Sequence, residues 1–268
     1  MLNDITLGQY FPGNSVVHRL DPRTKLVLLV VYIVALFTAT AWPTYLLVFL
    51  FLVTTIGISQ IPLKSILNGM KPLVMILILT GVLNIFFTNE GKLLISLGVV
   101  NIYSGGIVRA AYMVWRILML ITGTFLLTYT TSPIALTDGL ESLLNPLKKI
   151  RVPVHEPAMM MCIALRFIPT LIEETGKIMS AQKARGADFE SGNLLQRVKA
   201  LVPILVPLFI SAFRRADELA TAMECRCYQG GDGRTKMKLL RYKLRDFKAY
   251  FVGIVLLAAV ITMRCFNL

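Results

Sequence analysis

Leu26 to Trp42 reads LVLLVVYIVALFTATAW, seventeen residues without a charge, and this stretch decides the fold class. A bilayer core about 30 Å thick is crossed by a helix of roughly 20 apolar residues, with a range of about 17–25. Pro43 marks the end of the run, and a second apolar run follows at once from Thr44 to Ile61. Together they extend for about 35 residues, too long for one crossing, so they form two. Further runs lie at Pro72–Thr88, Ile107–Thr130 and Ala249–Phe266. Backbone groups in hydrocarbon must be satisfied within the segment, so such runs fold as helices. The sequence therefore predicts an all-α, polytopic integral membrane protein with about five transmembrane helices.

The composition agrees with lipid as the main solvent. The chain has 268 residues, 56% of them hydrophobic and 16% charged, with a mean hydropathy of +0.68. Soluble domains carry about 25% charged residues, so the composition argues against an ordinary water-soluble enzyme. Four cysteines make no disulfide framework. No cleavable signal is expected, because Met1 to Asp21 is polar and holds Pro and Gly before any apolar run.

The net charge of +13 could mark a nucleic-acid binder, but its distribution says otherwise. Arg19, Arg23 and Lys25 precede the first span, and Lys64 and Lys71 lie between the second and third. The connector after the first span has no basic residue, and the one after the third has only Lys92. Between 132 and 248, nineteen Lys and Arg face twelve Asp and Glu. The positive-inside rule then predicts a cytoplasmic N-terminus, a cytoplasmic 132–248 and a C-terminus outside. The expected order is a cytoplasmic segment 1–25, spans one to four within 26–131, a cytoplasmic helical insert 132–248, and a last span in 249–268. No nucleic-acid module is visible.

The insert is unusual for its apolar periodicity. Met161, Leu165, Ile168, Ile172 and Met179 recur at helical spacing, with Glu173, Glu174 and Lys177 breaking the other side. This predicts one long amphipathic helix over Pro157–Ala184, preceded by a shorter one over Ile134–Ile150. A second long helix is expected over Leu194–Tyr228. Its first half, ALVPILVPLFISAF at 200–213, is short for a crossing and carries Pro203 and Pro207, so it reads as buried or interfacial.

The two long helices end alike. Ile178 to Gly186 (IMSAQKARG) and Leu219 to Cys227 (LATAMECRC) align at an offset of 41 residues, each closing on an Arg flanked by small residues. One such Arg is an ordinary partner for the last helical carbonyls. Two matching ends suggest two equivalent plugs, since Arg can bond a carboxylate bidentately. Other constellations carry less. Gly230–Lys236 (GGDGRTK) lacks the Gly-Lys-Ser/Thr order of a phosphate loop, so ATP hydrolysis is not expected from this chain. Cys225 and Cys227 have no second pair, and His18 and His155 are the only histidines, so no metal site, catalytic residue or cofactor is expected. Met159, Met160 and Met161 read as core or as adaptable packing. Arg109 can snorkel outward. Arg116, deeper in the fourth span, is a possible intramembrane functional residue or the member of a pair inside the bundle.

Three motifs together resemble the transmembrane T component of energy-coupling factor transporters: His18-Arg-Leu-Asp21-Pro22-Arg-Thr-Lys25-Leu26, Ala184-Arg185-Gly186, and Glu224-x-Arg226-x-Tyr228. The resemblance covers essentially the whole chain. It implies that the insert holds coupling helices whose Ala-Arg-Gly ends dock onto two ABC-type ATPase subunits. The docking residues would be Ala184, Arg185, Gly186, Cys225, Arg226 and Cys227. The chain departs from the family where Cys225-Arg226-Cys227 replaces the second Ala-Arg-Gly, and Cys resists the left-handed cap that Gly accepts. The resemblance further implies a bacterial plasma-membrane scaffold that binds no ATP itself. It would transmit ATPase closure to a separate substrate-binding S component for the uptake of a vitamin or micronutrient, or of a transition-metal ion.

Two rivals remain at this stage. A permease with its own substrate site would need ionisable residues or broken helices near the midplane, where only Arg116 qualifies. A lipid-modifying membrane enzyme would need a nucleophile–base or acidic metal cluster, and none stands out around Asp138, Glu141 and Glu156.

Overall fold

The computed structural model describes residues 10–88, 92–97, 100–187, 189, 193–230 and 239–266. In chain order the helices are α1 (Pro22–Thr38), α2 (Trp42–Ser59), α3 (Leu63–Met70), α4 (Val74–Phe87), α5 (Ser104–Thr130), α6 (Pro133–Leu144), α7 (His155–Ala184), α8 (Leu194–Cys225) and α9 (Leu244–Cys265). A short antiparallel hairpin, β1 (Leu93–Leu97) and β2 (Val100–Tyr103), joins α4 to α5. The hydropathy reading treated this connector only as a link between spans. The fold is otherwise all-α, as expected.

These elements form two compact units, Gly8–Gly139 with Leu240–Leu268, and Leu140–Leu239. The first is the membrane bundle. Among the described residues, four of its helical segments are long and apolar enough to cross a bilayer: Trp42–Ser59, Leu63–Phe87, Ser104–Thr130 and Leu244–Cys265. The fifth expected span, α1, has 17 residues, at the short end of the spanning range. The third span begins earlier than the apolar run suggests, because α3 and α4 continue through a single 3₁₀ turn at Lys71–Leu73. Pro72 sits in that turn, where its missing N–H costs an α-helical bond.

Local chemistry sets the helix limits. Asp21 caps α1 by accepting from the Arg23 backbone N–H at 3.0 Å, and Pro22 occupies the first helical position. The core of the bundle gathers Tyr32, Ala35 and Leu36 of α1, Tyr45 and Val48 of α2, Met119 of α5, and Leu256 and Val260 of α9. Small residues allow the helices to approach. A Cβ placed on Gly106 of α5 would lie 3.0 Å from the Ile85 carbonyl oxygen of α4.

The opening of α1, His18 to Leu26, is part of a junction at one end of this bundle. Asp246 of α9, 2% exposed, accepts from the backbone N–H of Asp21 at 2.8 Å and of Lys243 at 2.7 Å. The Lys25 ammonium donates to the Thr130 carbonyl at 2.8 Å, the Thr131 hydroxyl at 3.1 Å and the His18 carbonyl at 3.3 Å. The chain entering α1, the end of α5 and the start of α9 are thereby tied together. Sequence reading singled out Asp21 and Lys25 but missed Asp246, whose only signal is an acid next to a membrane-entering apolar run.

Arg116 is a member of a pair inside the bundle. Its Nε donates to the Tyr45 hydroxyl at 2.9 Å, and its Nη2 donates to the same hydroxyl and, at 3.1 Å, to the carbonyl of Ala39. Ala39 is the residue that ends α1, so the guanidinium covers a helix terminus that lipid could not satisfy. The guanidinium carbon also lies 5.7 Å from the centre of the Phe37 ring.

Candidate functional site

The second unit is dominated by α7 and α8. At 30 and 32 residues they are about 45 and 48 Å long, far longer than their tertiary role in so small a unit requires. Helix α8 opens with a capping box, in which Asn193 accepts from the backbone at position 196 and the Gln196 side chain accepts from the Asn193 N–H at 3.1 Å. Before α7, the short helix α6 gives way to a 3₁₀ stretch at Asn145–Ile150, and Arg151 takes a positive φ of 62°. His155 at the start of α7 bonds Glu141 at 3.1 Å.

The two long helices run antiparallel, and their register is pinned at two places. Glu174 accepts from the Ser211 hydroxyl and from Arg215 Nη2, the latter at 2.9 Å. One end further along, the Gln182 amide donates to the Pro203 carbonyl at 3.4 Å. The Ser211 hydroxyl, followed by the charge of Arg215, holds the Glu174 carboxyl below its ordinary value. None of Glu174, Ser211 and Arg215 stood out in the sequence as a set. Glu174 and Arg215 are 41 residues apart, and only the antiparallel register brings them together.

Because the helices are antiparallel, their C-termini lie at opposite ends of the pair. From Pro203, which faces Gln182 near the end of α7, the 23 residues to Arg226 measure about 35 Å along α8. At the α7 end, the Gly186 N–H reaches the Lys183 carbonyl at 3.0 Å and the Ala187 N–H reaches the Gln182 carbonyl at 3.0 Å. At the α8 end, the Cys227 N–H reaches the Glu224 carbonyl at 2.8 Å and the Tyr228 N–H reaches the Met223 carbonyl at 3.1 Å. Both are Schellman caps, position for position. Gly186 has φ +87° and Cys227 has φ +56°, so Cys227 adopts the left-handed conformation that its side chain opposes. The departure from Ala-Arg-Gly thus leaves the backbone geometry of the second end the same as that of the first.

Arg185 and Arg226 occupy the cap position in these two motifs. Both residues are exposed, as are Ala184, Gly186, Cys225 and Cys227. Among the described residues neither guanidinium makes a side-chain hydrogen bond or ion pair, and the last helical carbonyls are served by backbone N–H groups instead. The arginines are therefore not what closes the helices. The Arg226 end borders a recess of about 510 Å³, walled by Met159 and Ile163 of α7 and by Leu219, Met223 and Tyr228. Met159, from the three-methionine run, lines this recess. The glycine-rich turn after Gly230 lies outside the described residues.

The apolar half of α8 is not covered. Leu201, Val202, Leu205, Phe209 and Phe213 are 45–70% exposed, whereas Ile204 is 4% exposed. Of the two readings that the sequence allowed for 200–213, a buried segment does not describe this unit.

Comparison with known proteins bears on this architecture. A family model described as CbiQ, cobalt transport protein, matches residues 13–237. A protein of Clostridium kluyveri named energy-coupling factor transporter transmembrane protein EcfT is 54% identical over 98% of both chains. Proteins of the same name from Ruminiclostridium cellulolyticum and Bacillus subtilis are 52% and 49% identical, covering 98% and 97% of this chain and 98% of their own.

Proposed function

The chain belongs to the CbiQ family of cobalt transport proteins, the family of energy-coupling factor transmembrane components, and from that membership we propose that it is the coupling subunit of an ATP-driven importer. As such a component it is a multi-pass membrane subunit of a multi-subunit transporter. In our reading, Arg185 and Arg226 each enter a carboxylate-bearing groove on one of two ABC-type ATPase subunits. ATP is bound and hydrolysed by those partners and not by this chain.

The observation that carries the proposal is the equivalence of the two helix ends. Two identical caps on antiparallel helices are related by a local two-fold axis, which suits two equivalent partner surfaces. Each end offers an exposed guanidinium with no side-chain partner among the described residues, and an Arg fork meets a carboxylate bidentately. Closure of the ATPases would draw the two ends together, and α7 and α8 would slide or pivot about the Glu174–Arg215 contact. The exposed apolar half of α8 would pass that motion to a substrate-binding membrane subunit, with a vitamin or related micronutrient as cargo. In our reading the N-terminus and 132–248 are cytoplasmic and the C-terminus is outside, which the positive-inside bias of the basic residues supports. Single-cysteine labelling of intact cells should modify position 268 and spare position 140, and the opposite pattern refutes the orientation.

The coupling role is tested by Arg185→Ala, Arg226→Ala and the pair. Removing one side of a desolvated, hydrogen-bonded charge pair costs about 2–5 kcal/mol, or at least about 30-fold in affinity. Each single variant should weaken capture of the ATPases in mild detergent by that factor and slow uptake, with a larger loss in the double variant. The stability of the isolated chain should not change, because neither side chain has an internal partner among the described residues. A double variant that assembles and transports like the parent overturns the proposal.

A further inference from the structure

The end of the membrane bundle that carries the Asp21–Asp246 junction holds an open-mouthed cavity of about 380 Å³ between α1, α2, α5 and α9. Its walls are almost wholly hydrocarbon, with Leu29 of α1, Leu52 of α2, Leu126 and Leu127 of α5, and Val252 of α9 facing it. Along α5 it extends from Thr130 to Gly123, a depth of about 10 Å at 1.5 Å per residue. A space this apolar offers water too few hydrogen bonds to fill it stably.

The rim is cationic. Lys25, Arg245 and Lys248 border the cavity on the side where the helices leave the apolar layer. The Lys25 ammonium is committed to its three oxygen acceptors. Arg245, half-buried, and Lys248, exposed, form no side-chain hydrogen bond or ion pair among the described residues. Two carboxylates of the junction lie close by, and both are taken up by backbone N–H groups: Asp246 accepts from Asp21 and Lys243, and Asp21 accepts from Arg23.

We propose that this cavity binds one anionic phospholipid, with an acyl chain in the apolar slot and the phosphodiester against Arg245 and Lys248. Basic pockets between membrane helices at the headgroup level attract acidic lipids, each cation adding about fivefold to the affinity. A free phosphate would leave the slot empty. A zwitterionic lipid would fill it, but its own ammonium offsets the pull of the rim. Both ends of an acidic lipid find a complement, and the occupied slot would brace α1, α2, α5 and α9 where the Lys25 and Asp246 contacts join them. The inference needs only the membrane bundle and is independent of the coupling role.

The full-length protein in neutral detergent would be titrated with phosphatidylglycerol, phosphatidylcholine or inorganic phosphate, and bound lipid counted by native mass spectrometry. Phosphatidylglycerol should bind more tightly than phosphatidylcholine. The double variant Arg245→Gln/Lys248→Gln should lose about 25-fold in phosphatidylglycerol affinity and little for phosphatidylcholine. Ala249→Leu, which puts a side chain into the slot, should lower occupancy by both lipids. Arg264→Gln, in the last turn of α9, should change nothing. Arg245→Lys keeps the charge and should keep the lipid preference, which separates loss of a contact from loss of folding. Equal binding of the two lipids by the parent overturns the proposal, as does displacement of lipid by inorganic phosphate. If Ala249→Leu leaves lipid binding intact but prevents assembly with other subunits, the slot belongs to a protein partner and the proposal fails.

Discussion

Replacing Gly186 by Ala and Cys227 by Gly makes the same chemical change in opposite directions at equivalent positions. Both residues follow the capping Arg, and both have positive φ, +87° and +56°. A Cβ added to Gly186 meets no heavy atom within 4 Å, so Gly186→Ala carries only the conformational cost of a left-handed L-residue, about 1 kcal/mol. Cys227 already bears that cost, and Cys227→Gly should relieve a similar amount. One kcal/mol is about a fivefold change in a local opening equilibrium. Hydrogen–deuterium exchange of the full-length protein in detergent reads this at the amides that close each cap. Peptides containing Ala187, whose N–H bonds Gln182, should exchange about fivefold faster in Gly186→Ala. Peptides containing Tyr228, whose N–H bonds Met223, should exchange about fivefold slower in Cys227→Gly. Unchanged exchange in the first variant, or faster exchange in the second, would refute the equivalence of the two ends.

Two further outcomes follow from buried and bridging contacts. Tyr45→Phe removes the hydroxyl that accepts from Arg116 and should lower thermal stability in detergent by about 1–3 kcal/mol, whereas Tyr112→Phe, whose ring lies 5.3 Å from that of Tyr45, should not. If the two variants melt alike, the Arg116 pair is not stabilising. Glu174 is held below the ordinary carboxyl value of 4.5, so its stabilisation of the α7–α8 pair is complete above about pH 4.5 and is lost as the pH falls through the depressed folded value. Exchange protection in both helices should fall in that acid window for the parent, and Glu174→Gln should flatten the dependence. An equally steep acid loss in Glu174→Gln would assign it to other groups.

Much of this molecule was legible locally. The uncharged run at 26–42 and the four other apolar runs place helices in lipid, because hydrocarbon leaves the backbone no other way to satisfy its polar groups. The limits of α7 came within two residues of the apolar periodicity, and α8 began where expected, because period and capping chemistry act over a few residues. The repeated Arg ends were visible for the same reason. The sequence could not show that they sit at opposite ends of one pair, since that depends on Glu174 finding Arg215 across a chain reversal. Read alone, Cys227 argues against a left-handed cap. The cap forms nonetheless, because two backbone hydrogen bonds and the packing of Tyr228 and Met223 around one recess offset the strain. The partners of Arg116 were out of reach of the sequence, because Ala39 and Tyr45 come from α1 and α2. The apolar cavity is built from four helices, and the Asp246 carboxylate near its rim is taken up by backbone N–H groups that only the fold brings to it. Local residue order determines which segments are helices and how they end; long-range packing decides which charges meet a partner and which are left for another molecule.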